Sequence, residues 1–242
     1  MMILPAWLAA SAALAQPTPQ AVHFAPRGES GISLEGVLQL PAREDERLVP
    51  ALVMCHPDPR MSGTMDDRVV AAVTEAVVHE GLAVLRFNFR GVQGSTGAFD
   101  NDKGEVNDVL GALDYLARQP GIDTEHLFLG GYSFGSVMAL KALAKDERVR
   151  AYVGVSLPYG GKPHEREELA EIGKITRPAF VVIGSDDQFG RADAIRELLA
   201  EKQAAAQVQV IEGADHFYLD PPEALATAAE AVARFLKTQS AG

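Results

Sequence analysis

Apolar residues along this chain follow two rhythms that take turns. Residues 32–40 alternate apolar and polar positions and stop at Pro41, the period-two pattern of a half-buried strand. Residues 49–55 form a nearly continuous apolar run, ending Leu52-Val53-Met54-Cys55, as a strand covered on both faces requires. The spacing then becomes helical over residues 65–79, with Val69, Val70, Val73 and Val77 on one side and Gly81 marking the end. A second strand is predicted over 82–89 and a second helix over 105–118, closing before Pro120-Gly121. The alternation continues with strand 127–129, helix 134–144, strand 149–155, strand 179–183, helix 192–203 and strand 208–211. A last helix runs from about 222 to 235, with Leu225, Ala228, Ala229, Val232 and Phe235 toward the core.

Strands and helices of these lengths in alternation predict an α/β fold, a mostly parallel sheet with helices on both faces. The early strands, around Phe24 and over 32–40, have no helix between them and are expected as an antiparallel N-terminal edge. No internal repeat and no break in composition interrupts residues 22–242, which read as one domain. Residues 1–15 are different: an apolar stretch too short to span a bilayer, ending in Ala13-Leu14-Ala15. They read as a secretory signal peptide cleaved after Ala15, although no Lys or Arg stands at the start. Residues 16–21, with Pro17-Thr18-Pro19, follow as a linker. On this reading the protein is exported; without cleavage it stays cytoplasmic.

Composition changes the picture only at its edges. The net charge of -11 sets nucleic acid and anionic membrane surfaces at a disadvantage as partners, and leaves small neutral or cationic substrates unhindered. A single cysteine, Cys55, rules out an intramolecular disulfide and a cysteine-based zinc site, and its place in an apolar strand marks it as a core residue.

The candidate chemistry sits at strand ends. Between strand 127–129 and the helix after Phe134 lies Gly131-Tyr132-Ser133-Phe134-Gly135, a Gly-x-Ser-x-Gly pattern in the strand–turn–helix setting that lifts a serine hydroxyl above a sheet. A nucleophilic serine needs a base held by an acid. Of six histidines, His216 lies just beyond the final strand, where ligand sites gather in open α/β sheets. The acid follows strand 179–183, in Gly184-Ser185-Asp186-Asp187. Asp187 is favoured, with Asp186 as a turn former and Asp215 as a weaker alternative beside the histidine. An oxyanion would need two backbone N–H donors. Phe134 follows the nucleophile, and Asp58 is the natural donor between the prolines of His56-Pro57-Asp58-Pro59. His56 with Asp58 lacks further ligands for a metal, so none is expected.

Together these pieces resemble the α/β-hydrolase superfamily from about Val22 onward. His56-Pro57-Asp58-Pro59 is similar to the His-Gly-x-Pro segment after the family's third strand, with proline in place of glycine. Arg90-Gly91-Val92-Gln93-Gly94-Ser95 is similar to an Arg-Gly-x-Gly-x-Ser segment, with Gln93 where glycine is usual. Among subgroups, the chain looks most like the small lidless hydrolases with a His-Pro-x-Pro loop, often described as dienelactone-hydrolase-like or serine-peptidase-like. Dienelactone hydrolases proper use a cysteine, and Ser133 argues against membership.

The resemblance implies a cofactor-free serine hydrolase with Ser133, His216 and Asp187 as its triad, cleaving small or short-acyl soluble esters. Thioester or peptide cleavage would use the same triad, and a non-catalytic binding module of the same fold is the alternative of another class. Cap domains in this fold are commonly inserted after the sixth strand. Residues 158–177 have room only for a loop and a short helix, so an open cleft without a large cap is expected. Its candidate lining residues are Tyr132, Phe134, Tyr159, Phe189 and Phe217.

Overall fold

The computed structural model describes residues 19–42, 47–170 and 173–241, so the leader read in residues 1–15 lies outside the described residues. Among the described residues, eight strands form one sheet: β1 (Gln20–Phe24), β2 (Leu34–Gln39), β3 (Val49–Cys55), β4 (Ala83–Phe87), β5 (Ile122–Tyr132), β6 (Val149–Val155), β7 (Ala179–Gly184) and β8 (Ala206–Ile211), in the order β1-β2-β4-β3-β5-β6-β7-β8. β1 pairs antiparallel with β2, and β2 with β4; every other pairing is parallel. The antiparallel edge was expected from the missing crossover helix. Its first strand begins two residues before Val22, inside the stretch read as linker.

The apolar runs find their reason in the two faces of the sheet. Along β3, Ala51, Val53 and Cys55 point to one side, toward α2 (Lys103–Leu116), α3 (Phe134–Leu143) and α5 (Ala192–Glu201). Leu52 and Met54 point to the other, toward α1 (Arg68–His79) and α6 (Ala224–Gln239), which pack on each other. Alternate residues of one strand therefore enter two separate cores, and no position is free to be polar.

Where the sheet departs from expectation, polar residues are the cause. β5 runs eleven residues rather than three, because Asp123, Thr124 and Glu125 extend its start with no apolar signal and Gly130-Gly131-Tyr132 extend its end. β8 begins at Ala206 with an exposed edge. Between β6 and β7 the described residues hold one short helix, α4 (Pro163–Glu168), and no cap domain.

A buried ion network fixes the loop after β4. The Arg90 guanidinium donates to Asp108 at 2.7 Å, to Glu29 at 2.9 Å and to the Gly104 carbonyl at 2.8 Å. Next to it, the Asn88 amide donates to Glu35 and to Gln93, both at 2.9 Å, and its oxygen accepts from the Met65 N–H. Gln93, standing where glycine is usual, adopts φ 47°, the left-handed region that favours glycine. Its hydrogen bond with Asn88 helps to hold it there.

Candidate active site

Ser133 occupies the sharp turn between β5 and α3, with φ 52° and ψ -123°. A non-glycine residue held in that region costs on the order of 1–3 kcal/mol, and the surrounding contacts must enforce it. They do so by crowding. A Cβ on Gly131 would lie 2.2 Å from the Gly135 carbonyl carbon, and one on Gly135 would lie 2.5 Å from the carbonyl oxygens of Cys55 and His56. Only glycine lets strand, helix and the β3 loop meet this closely. The turn presents Ser133 Oγ at the strand ends, with the N-terminus of α3 beside it.

His216 follows β8 and Asp187 follows β7, so both lie at the same edge of the sheet as Ser133. His216 Nε2 is 2.9 Å from Ser133 Oγ, and its Nδ1 is 2.9 Å from each oxygen of Asp187. An ionised carboxylate only accepts, so the proton belongs on Nδ1 and Nε2 is left to accept the serine O–H. His216 is 3% exposed and the Asp187 side chain is fully buried. Burial alone would push the Asp187 carboxyl up. The hydrogen bonds from His216, the Phe189 N–H and the Ser156 hydroxyl outweigh it and hold the group below the usual carboxylate range. Asp186, the alternative acid, is exposed and accepts from the Ser185 hydroxyl; Asp215 accepts the N–H groups of Phe217 and Leu219. The carboxylate on His216 Nδ1 is that of Asp187.

His56 has a part that the sequence did not reveal. The Phe89 N–H donates to its Nε2 at 3.0 Å, so its proton sits on Nδ1, which donates to the Pro57 carbonyl at 2.6 Å. The ring pins the loop carrying Asp58 to the end of β4. Burial pushes its pKa down to about 4, and among the described residues no group of side chains could hold a metal. A free histidine titrates near 6.5, so the unfolded chain takes up a proton there that the folded chain refuses. Stability is expected to be full above that pH and to fall by about 3 kcal/mol as the pH drops to about 4. Urea unfolding of wild type and His56→Asn across this range checks it: the variant, less stable at neutral pH, should lose much less on acidification. Parallel pH slopes would contradict the assignment.

A cavity of about 350 Å³ opens over Ser133. Tyr132, Phe134, Phe189 and Phe217 line it, as does Asp58. Phe189 and Phe217 stand edge-on to the His216 ring at 4.7 and 5.3 Å, both partly exposed. Tyr159 corrects the expectation. It is 1% exposed and packs into the core, and it is not part of the wall. Its carbonyl accepts from the Arg191 N–H, which ties this segment down beside α5 and turns the ring inward. Burial pushes the Cys55 thiol up, so the lone cysteine is no competing nucleophile.

Two partners of the site carried no sequence signal. The Ser156 hydroxyl, just after β6, bonds to Asp187 and lies 3.2 Å from the Tyr218 hydroxyl. Gln188 accepts from the His216 N–H at 3.3 Å. The position of Ser156 at a strand end was the only available hint.

Comparison with known proteins agrees with this fold. Residues 61–241 match a family described as alpha/beta hydrolase domain. An uncharacterized protein of Rickettsia prowazekii, RP471, is 32% identical over 174 residues, covering 70% of this chain and 72% of its own. The thiohydrolase aneE of Aspergillus aculeatus is 33% identical over 129 residues, 52% of this chain and 38% of its own. An alpha-beta serine hydrolase homologue from Coxiella burnetii superposes with a TM-score of 0.76 at 26% identity, covering 90% of this chain and 97% of that one.

Proposed function

The chain belongs to the α/β-hydrolase family, and from that premise we propose that it is a serine esterase acting on small carboxylic esters. The observation that carries the proposal is the unbroken line of hydrogen bonds from Ser133 Oγ through His216 to Asp187, each 2.9 Å long.

Ser133 attacks the ester carbonyl while His216 Nε2 takes its proton, and Asp187 stabilises the imidazolium that results. The N–H groups of Phe134 and Asp58 hold the oxyanion. Phe134 is the first residue of α3, and N–H groups in a first helical turn have no intrahelical acceptor. His216 then protonates the departing alcohol, and the acyl group stays on Ser133. Water, deprotonated by the same imidazole, attacks the acyl-enzyme and releases the acid, returning the proton to Ser133. No cofactor is called for.

A thioesterase reading has one specific observation behind it, the thiohydrolase name of the Aspergillus relative. The test is a panel with one acyl group carried as an ester, a thioester and an anilide. The ester is expected to turn over fastest. A faster thioester would hand the function to the second reading, and turnover of the anilide alone would point to a peptidase.

A further inference from the structure

Resting on that esterase reading, we propose that the groove along α3 is the acyl subsite, and that Lys141, clasping Asp102 and Glu168, closes its far end and limits the acyl length.

Acyl and alcohol parts of a substrate must leave Ser133 in different directions, and His216 decides which goes where. The alcohol oxygen has to lie within reach of Nε2 to be protonated, so the leaving group occupies the side of the cleft beside His216. That side is walled by Tyr132, Phe217 and Asp67, the residue that caps α1. Tyr132 belongs to the core under α1 and α6. Phe134 and Val137 belong to the core on the opposite face of the sheet, with α2 and α3. The cleft therefore crosses the top of the sheet, and the acyl group is left the arm that runs over α3.

That arm has an apolar floor and a charged end. Phe134, Val137 and Lys141 stand at helical i, i+3 and i+7 spacing, so they form a single stripe on α3. At 1.5 Å rise per residue, Lys141 stands about 12 Å beyond Ser133 along the axis. Phe134 and Val137 line the cavity, and so do Asp102 and Glu168. Lys141 Nζ lies 3.0 Å from Glu168 Oε1 and 3.5 Å from Asp102 Oδ2. One ammonium thus draws together two carboxylates from separate segments, the turn before α2 and the end of α4. The chain turns sharply at the first of these: Asn101 and Asp102 both have positive φ, 50° and 72°. An apolar acyl chain growing along the floor meets this clasp and cannot pass without uncoupling charges.

The test is the turnover of p-nitrophenyl acetate, butyrate, hexanoate and octanoate, a series with a constant leaving group. Lys141→Met is expected to raise the octanoate-to-acetate ratio of kcat/KM about tenfold, since methylenes gain room where the wild type excludes them. Lys141→Arg should restore the wild-type ratio, and Glu168→Gln, at the exposed end of the clasp, should shift it in the same direction as Lys141→Met. A merely structural lysine would change all four esters in parallel. A flat ratio in Lys141→Met, with the variant still hydrolysing acetate, would overturn the acyl-length assignment alone. Absence of turnover on every ester in the wild type would defeat the esterase reading and this inference with it.

Discussion

Ser133→Ala is expected to lower ester turnover by about a millionfold, the scale on which a triad nucleophile acts. The expectation follows from what the substitution removes. The proposed attacking oxygen goes, while the proposed oxyanion donors and the pocket stay, so residual activity over water should reflect those alone. The fold should survive. Alanine at φ 52° carries the same backbone penalty as serine, and no core contact depends on the hydroxyl. Steady-state kinetics with an activated ester, alongside thermal melts, checks both halves. A fall of less than about a hundredfold would mean that another group does the attacking, since a lost nucleophile costs far more than a lost auxiliary group.

Asp187→Asn is expected to cost about ten-thousandfold in kcat with little change in the folded geometry. Asparagine can fill the same space, but its amide can donate to Nδ1 where the carboxylate only accepted. The imidazole then carries its proton on Nε2, facing Ser133, and can no longer act as a base. The neighbour supplies the control. Asp186 is exposed and bonded to Ser185, so Asp186→Asn should stay within a few-fold of wild type. Equal losses in the two variants would show that the assignment of the acid is mistaken.

The contrast between these neighbouring aspartates shows what the sequence could and could not convey. Strand ends were legible, because residues buried on both faces of a sheet must be apolar without interruption, as in Leu52-Val53-Met54-Cys55. The turn after β7 was therefore locatable, and so was the glycine-flanked serine. Which of two adjacent carboxylates turns inward depends on the turn itself, where the Asp187 side chain accepts from the Phe189 and Gly190 N–H groups. Those are local turn bonds that either aspartate could have made, so no residue pattern chooses between them.

Tyr159 fails for the same reason. An aromatic residue just past a strand end can face the cleft or the core, and the bond from the Arg191 N–H, far along the chain, decided for the core. The tautomer of His56 was equally hidden, since it is set by the N–H of Phe89 on another strand end. The polar start of β5 escaped because it carries no apolar pattern: it is anchored to β3 only at Ile122, opposite Val49, and regular pairing with β3 and β6 resumes at Leu127. What remained unreadable lies in turn geometry and in long-range hydrogen bonds, while the two cores of the fold were written in the local pattern.

The central claim is that Ser133 is an activated nucleophile. Covalent labelling of the intact protein with a fluorophosphonate, followed by mass spectrometry, tests it most directly. The predicted result is a single adduct on the peptide containing Ser133, absent from Ser133→Ala. A folded wild-type protein that takes up no label, or takes it up at another residue, would contradict the claim.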